Sequence, residues 1–144
     1  MTELKQISLF VENKPGRMAK VSKTLSDAGV NIRALTIAEA GDFGVIRMVV
    51  DEPEKGYGML KQNGFTVSMT DVLAVEMEDS PGGLYKIVDT LGQNNINVDY
   101  AYAFVTAKAQ KAMLIIRVDE IEAARRVLGA KGIRIANGEE IEKL

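Results

Sequence analysis

The sequence contains no cysteine and no histidine, and these two absences narrow the chemistry open to it. Without cysteine, the chain forms no disulfide, offers no thiol nucleophile and builds no cysteine-ligated zinc site. Without histidine, it has no Ser-His-Asp triad, no imidazole metal ligand and no side chain whose unperturbed pKa lies near neutrality. We therefore expect a protein that is not an enzyme and that carries no cofactor or metal.

Long apolar runs and an excess of basic charge are also missing. No apolar stretch approaches the roughly 20 residues that span a bilayer, and the N-terminus lacks the basic segment and apolar core of a signal peptide. The formal net charge is −2, whereas proteins that bind nucleic acid usually carry a basic face. We expect a cytoplasmic protein that binds neither a membrane nor nucleic acid.

What the sequence does contain is a repeat that covers nearly the whole chain. The pair Pro15-Gly16 returns as Pro81-Gly82 after 66 positions, and the surrounding residues agree under the same shift. Beyond the second predicted strand the shift becomes 68, so the two extra residues fall in a turn, where insertions are tolerated best. The sequence therefore predicts two homologous domains, residues 1–70 and 71–144.

Each repeat predicts the same order of strands and helices. Apolar residues alternate from Ile7 to Val11, which indicates a half-buried strand, and then recur every three or four residues from Met18 to Ala28, which indicates an amphipathic helix. Two more strands, a second helix and a fourth strand follow. The order is βαββαβ, twice, and such a unit folds as a ferredoxin-like α+β module, an antiparallel four-stranded sheet with both helices on one face.

Two local features carry further expectations. Asp51 and Asp119 precede the second helix of each repeat, and we expect them to be its N-caps. Tyr100, Tyr102 and Phe104 share one face of a predicted strand. These aromatic side chains either fill the core of the second repeat or form an outer sheet face suited to an interface.

The repeated Pro-Gly corner stands between a strand and a helix. The first N–H groups of a helix lack intrahelical partners and carry a partial positive charge, and glycine lets another molecule approach the backbone closely. Such a corner suits a small anion such as a carboxylate, although a tight turn without a ligand would use the same residues. The corner residues are Lys14, Pro15, Gly16 and Arg17 in the first repeat and Ser80, Pro81, Gly82 and Gly83 in the second.

The stretch ENKPGRMAKVSKTLSDAGVNI resembles an ACT domain, the small regulatory module of amino-acid metabolism, and EDSPGGLYKIVDTLGQNNINV resembles a second one. The resemblance extends from about residue 4 to residue 136. It implies a free-standing pair of ACT domains without a catalytic domain, and therefore a regulatory protein that binds a small effector, most simply an amino acid.

The resemblance also implies a ligand site. In ACT domains of the phosphoglycerate dehydrogenase type, one asparagine two residues before the proline and another at the start of the next strand hold a bound amino acid. Val11 and Met77 stand where serine-binding domains have a histidine, which argues against serine and for a more apolar wall. The ligand contacts implied are Asn13, Lys14, Pro15, Gly16, Arg17, Met18, Asn31 and Ile32 in the first repeat, and Asp79, Ser80, Pro81, Gly82, Gly83, Leu84, Asn97 and Val98 in the second.

Two interpretations of the function stay open. In the first, the Pro-Gly corners face each other between the modules, an amino acid bridges them, and a partner enzyme of amino-acid metabolism responds to the resulting arrangement. In the second, the protein is an adaptor or dimerisation subunit of such an enzyme and has no ligand of its own. Because ACT sheets commonly pair, the resemblance also implies a homodimer.

Overall fold

A computed structural model describes residues 3–144 of the chain and confirms the predicted pair of ferredoxin-like modules. Contacts divide the described chain into two units. The first unit comprises Lys5–Thr70 together with Glu139–Leu144, and the second comprises Asp71–Gly138 together with residues 3 and 4.

The first unit is built around three strands whose pairing is antiparallel. The elements are β1 (Leu4–Glu12), α1 (Arg17–Asp27), β2 (Ile32–Ala40), β3 (Phe43–Val50), α2 (Pro53–Gln62) and the beginning of β4 (Thr66–Glu78). Strand β3 pairs with both β1 and β2, and the order in the sheet is β2-β3-β1-β4.

The second unit repeats this arrangement with the remainder of β4 as its first strand. The elements are α3 (Gly83–Gln93), β5 (Val98–Val105), β6 (Lys111–Val118), α4 (Ile121–Ala130), β7 (Ile135–Ala136) and α5 (Gly138–Glu142). Strand β6 pairs antiparallel with β4 and β5, and β7 pairs antiparallel with β4, so the order is β7-β4-β6-β5.

Each unit has its own apolar core between its sheet and its helices. In the first unit the inward residues of β1, such as Leu9, pack with the apolar stripe of α1, which includes Val21 and Leu25. In the second unit Val75 and Leu91 occupy corresponding positions. Burying each such side chain contributes about 1.5–3 kcal/mol, so the alternating and helical apolar patterns are what hold each unit together.

The alternating aromatic residues of β5 lie on the face of the sheet away from the helices. Tyr102 pairs with Ile115 on β6, and Phe104 pairs with Met113, so each pair shares a face. The neighbouring Leu114 points to the opposite face, into the core of the second unit. The interpretation of these aromatics as core residues is therefore wrong, and the interpretation as an outer sheet face is correct.

The C-terminal residues and residue 3 are each held by an arginine. Arg33 donates from Nη2 to the carbonyl oxygen of Glu142 at 2.9 Å, and Ile141 beside it is fully buried. Arg125 donates from Nη2 to both carboxylate oxygens of Glu3, at 2.9 and 3.1 Å. In residues 3–144, no helix combines the length and the apolar character needed to cross a membrane.

Candidate functional site

The first corner, residues 12–18, joins the end of β1 to the start of α1. Gly16 takes the N-cap position with a φ of 88°, a left-handed conformation that glycine adopts without steric cost. No side chain in the described part of the chain caps this helix, and the first N–H groups of a helix have no intrahelical partner. The corner therefore presents backbone donors at the positive end of the helix dipole.

Asn13 fixes the first corner to the β2–β3 hairpin. Its backbone N–H donates to the carbonyl oxygen of Asp42 at 2.8 Å, and its Nδ2 donates to the carbonyl oxygen of Gly41 at 3.1 Å. One side-chain N–H is therefore engaged within the unit. The Oδ1 atom of the carboxamide can accept a hydrogen bond from an ammonium group.

Glu12 organises the charged side chains of the first corner. Its carboxylate accepts a hydrogen bond from Nη2 of Arg17 at 2.7 Å, and Nζ of Lys14 lies 3.1 Å from its other oxygen. The hydrogen bond from Lys14, the charge of Lys14 and the charge of Arg17 together hold the pKa of Glu12 below its usual value. The carboxylate is therefore ionised at neutral pH.

A cavity of about 260 Å³ lies beside the first corner, within the first unit. Arg17 and Lys20 bring two cationic groups to its lining against the single carboxylate of Glu12, and Nζ of Lys20 lies 5.5 Å from the centre of the Phe65 ring. Nε of Arg17 is buried and has no hydrogen-bond partner among the described residues. The lining residues are Phe10, Val11, Glu12, Arg17, Lys20, Phe43, Asn63, Gly64, Phe65 and Thr66.

The second corner, residues 78–84, repeats the backbone of the first but packs more closely. Gly82 is the N-cap with a φ of 91° and no side-chain cap, and the backbone N–H of Asp79 donates to the carbonyl oxygen of Gln110 at 2.8 Å. Gly83 begins α3 against the end of β4, where an added Cβ would overlap the carbonyl oxygen of Glu78. Position 83 therefore has no room for a side chain.

Ion pairs surround the end of β4 at the second corner. The Glu76 side chain is only 15% exposed and lies 3.5–3.8 Å from three cationic groups, those of Lys108, Lys111 and Arg134. Lys111 also donates a hydrogen bond to the Glu78 carboxylate and forms an ion pair with it. This hydrogen bond and the Lys111 charge lower the pKa of the Glu78 carboxyl, and the same hydrogen bond, as the largest cause, raises the pKa of Lys111.

Asn31 lies at the opposite end of the first unit from its corner. It precedes Ile32, the first residue of β2, whereas Asn13 is bonded to Gly41, just beyond the last residue of β2. Since β2 has nine residues, the two asparagines are roughly 30 Å apart along the strand. One amino acid therefore cannot contact Asn13 and Asn31 of the same unit, and β5 separates Asp79 from Asn97 in the same way.

The prediction that Asp51 and Asp119 are N-caps is wrong. Helix α2 begins after Glu52, and neither α2 nor α4 has a side-chain cap. Instead, Oδ1 of Asp51 accepts a hydrogen bond from the backbone N–H of Asn31 at 2.9 Å, and the backbone N–H of Asp51 donates to the carbonyl oxygen of Asn31 at 3.0 Å. This aspartate–asparagine clasp recurs in the second unit between Asp119 and Asn97, at 3.0 and 3.3 Å.

The remaining predicted contacts divide between surface and core. Met18, Ile32 and Val98 pack against the apolar cores, and Leu84 is 49% exposed. The other corner residues, Pro15, Ser80 and Pro81, are exposed. The structure thus brings the residues from Asn13 to Met18 together at the first corner and those from Asp79 to Leu84 together at the second. Within each unit, it separates the asparagine at the strand start from that unit's own corner.

The residues that give the cavity its aromatic surface and one of its two cations were missed by the sequence analysis. Lys20 and Phe65 line it, as do Phe10 and Phe43, whose surfaces are 59% and 53% exposed. One signal was present for Phe10, because a large aromatic residue stands at an outward position between Leu9 and Val11. Nothing local marks Phe65, since tertiary packing alone brings it to the corner.

Comparisons with known proteins agree with this fold. A family model described as an ACT domain pair matches residues 1–144. The crystal structure of protein BT0572 from Bacteroides thetaiotaomicron is similar, with 35% sequence identity, a TM-score of 0.92 and coverage of 99% of this chain and 98% of that one. None of the curated proteins matches the sequence.

More distant structures share the fold alone. The regulatory subunit of aspartate kinase from Thermus thermophilus, in its ligand-free form, is 18% identical with a TM-score of 0.67, covering 90% of this chain and 93% of that one. The corresponding subunit from Thermus flavus is 17% identical with a TM-score of 0.61 and the same coverage.

Proposed function

This chain belongs to the ACT domain family, and on that premise we propose that it is a non-catalytic regulatory protein that binds a small effector, an amino acid, at its Pro-Gly corners. The observation that carries the proposal is the cavity beside the first corner, which has a helix N-terminus without a side-chain cap at one side and the cations of Arg17 and Lys20 in its lining. A ligand carboxylate satisfies such donors.

The size of this cavity supports a small ligand. Sites for drug-sized molecules occupy about 300–1,000 Å³, whereas the cavity beside the first corner holds about 260 Å³. An amino acid fits this volume. The net charge of −2 and the ACT fold together favour a small effector over nucleic acid.

The regulated partner in this proposal is a separate enzyme of amino-acid metabolism in the cytoplasm. Two structures that share the fold are, by name, regulatory subunits of aspartate kinase. Because a ligand shifts an equilibrium only by its differential affinity for two states, effector binding would have to favour one state of the protein, as a homodimer or in complex with the enzyme.

An adaptor without a ligand is the second candidate function. Two observations at the second corner favour it: there is no space for a side chain at Gly83, and Glu76 already forms ion pairs within the protein. If the first corner were equally inactive, the protein would act only through its surfaces.

A thermal-melt screen of the purified chain against the twenty amino acids separates these candidates. A ligand at a hundredfold above its dissociation constant adds about 2.7 kcal/mol of stability, which raises Tm by several degrees in units of this size. We expect such a shift for one chemical class of amino acid. A response to none of the twenty would contradict the amino-acid effector and favour the adaptor.

A further inference from the structure

We propose that, of the two corners, the first binds the effector and the second does not, and that the effector is an amino acid with an apolar side chain. This inference rests on the proposed function and specifies its site, stoichiometry and ligand class. It comes from the substitutions that separate the two halves of an otherwise repeated structure.

The two corners have the same backbone but different side chains. The shift of 66 residues places Phe10 on Glu76 and Arg17 on Gly83, and the shift of 68 places Phe43 on Lys111. The two residues of each pair occupy equivalent places in the fold. For example, Phe43 begins β3, which pairs with the end of β1, and Lys111 begins β6, which pairs with the end of β4. Corresponding positions therefore differ in polarity, charge and volume.

At the first corner these positions combine an apolar wall with positive charge. Phe10 and Phe43 leave more than half of their surfaces exposed, 59% and 53%, and both line the same cavity as Arg17 and Lys20. Glu12 pairs with Arg17, whereas Lys20 lies over the ring of Phe65. An amino acid with an apolar side chain can place its carboxylate beside these cations, its ammonium beside Glu12 and its side chain against the phenylalanine rings.

The buried Nε of Arg17 adds a second reason for a ligand. It has no hydrogen-bond partner among the described residues, and a buried donor left unsatisfied is costly. Nη2 of the same guanidinium already serves Glu12. A ligand carboxylate beside Arg17 would give the Nε–H an acceptor, while the apolar side chain of the ligand covers the exposed phenylalanine rings.

At the second corner the same space is charged and already paired. Glu76 is largely buried among three cations, and Lys111 is also bonded to Glu78, so these cations have carboxylate partners within the protein. A ligand carboxylate would have to compete with Glu76 and Glu78 for these cations, and an apolar side chain would meet charged groups at the positions that Phe10 and Phe43 occupy in the first unit. Gly83 supplies no guanidinium.

Isothermal titration calorimetry of the full chain tests the inference with matched variants. The probes are leucine, isoleucine, phenylalanine, aspartate and lysine. Lys20→Gln removes a cation from the first cavity, and Lys86→Gln removes the equivalent exposed cation of the second unit. Phe43→Ser removes an exposed ring of the cavity, and Tyr85→Ser, which replaces a 68% exposed ring of the second unit, is its control.

We expect one ligand per chain and a preference for the apolar probes over aspartate and lysine. Lys20→Gln and Phe43→Ser should each weaken binding by about tenfold, the effect of a lost charge-assisted or well-packed contact. Lys86→Gln and Tyr85→Ser should bind as the unaltered chain does.

Three results would overturn the inference while leaving the proposed function intact: two ligands per chain, a loss of affinity on Lys86→Gln rather than on Lys20→Gln, or a preference for a charged probe. If none of the twenty amino acids binds, the proposed function fails and this inference fails with it. The two failures are therefore distinguishable.

Discussion

The first residue of the helix, Arg17 in α1 and Gly83 in α3, is where the two corners differ most in side-chain size and charge. Arg17 projects a guanidinium from the start of α1, bonded to Glu12. Gly83, at the equivalent position, lets α3 approach the end of β4 so closely that a Cβ would meet the Glu78 carbonyl oxygen. The two corners thus differ first in whether a side chain stands at this position.

The lowered pKa of Glu78 predicts that the stability of the fold depends on pH. Its pKa in the folded state lies below the usual 4.5, first because Lys111 hydrogen-bonds it. A carboxyl whose folded pKa is lowered stabilises the fold above its unfolded pKa, and this contribution disappears as the pH falls through the folded pKa. Glu78→Gln should therefore be less stable than the unaltered chain at neutral pH, and the difference should shrink below about pH 4.

Urea denaturation at several pH values measures this effect, with Glu39→Gln on the exposed end of β2 as the control for the charge change itself. A stability difference between the Glu78→Gln protein and the unaltered protein that stays constant from neutral to acidic pH would show that the ion pair with Lys111 contributes nothing.

At the scale of elements, the aspartate–asparagine clasps hold a strand start to a helix start in each unit. Asp51 joins Asn31, before β2, to α2 by a side-chain and a backbone hydrogen bond. Asp51→Ala should lower the free energy of unfolding by about 1–2 kcal/mol, because the Asn31 N–H loses its acceptor. Asp51→Asn keeps an acceptor oxygen and should cost less, as chemical denaturation would measure. Equal losses in both variants would mean that the hydrogen bond is not the source of the effect.

Most elements could be predicted from the sequence because their signals are local. The alternation from Ile7 to Val11 predicts β1, and the apolar residues that recur every three or four positions from Met18 to Ala28 predict α1. Asp51 misled the prediction because an aspartate before a helix usually caps it, whereas this one accepts a hydrogen bond from a residue that lies 20 positions earlier in the chain.

The candidate site was harder to predict because its parts come from different elements. The Pro-Gly corner is visible in the sequence, but the cavity beside it also needs Phe43 from β3 and Phe65 from the turn between α2 and β4. Asn31 is near the corner in sequence spacing and far from it in space, since a whole strand lies between them. Only tertiary structure distinguishes these cases.

At the scale of the whole molecule, the C-terminal segment is grouped with the first unit although it follows the second in the chain. Ile141 on α5 is fully buried, and Arg33 binds the carbonyl oxygen of Glu142. Ile141→Ala should therefore destabilise the first unit by about 2–5 kcal/mol, the usual cost of truncating a buried isoleucine. Leu144→Ala, at a side chain 52% exposed in the same segment, is the matched control and should cost much less.

The hydrogen-exchange rates of the backbone amides in β3 measure the stability of the first unit. Faster exchange in Ile141→Ala but not in Leu144→Ala would support a structural role for the tail. Unchanged protection of β3 in both variants would contradict it.

The recurrence of the clasp in both units has a consequence for how such a protein can change over generations. Asn31 with Asp51, and Asn97 with Asp119, form the same pair of hydrogen bonds, each at the far end of its own unit from that unit's corner. Mutations can therefore accumulate at one corner without disturbing these hydrogen bonds in the same unit. Because each unit of the duplicated chain has its own pair of hydrogen bonds, selection can maintain binding at one corner while the other corner changes its ligand or loses binding.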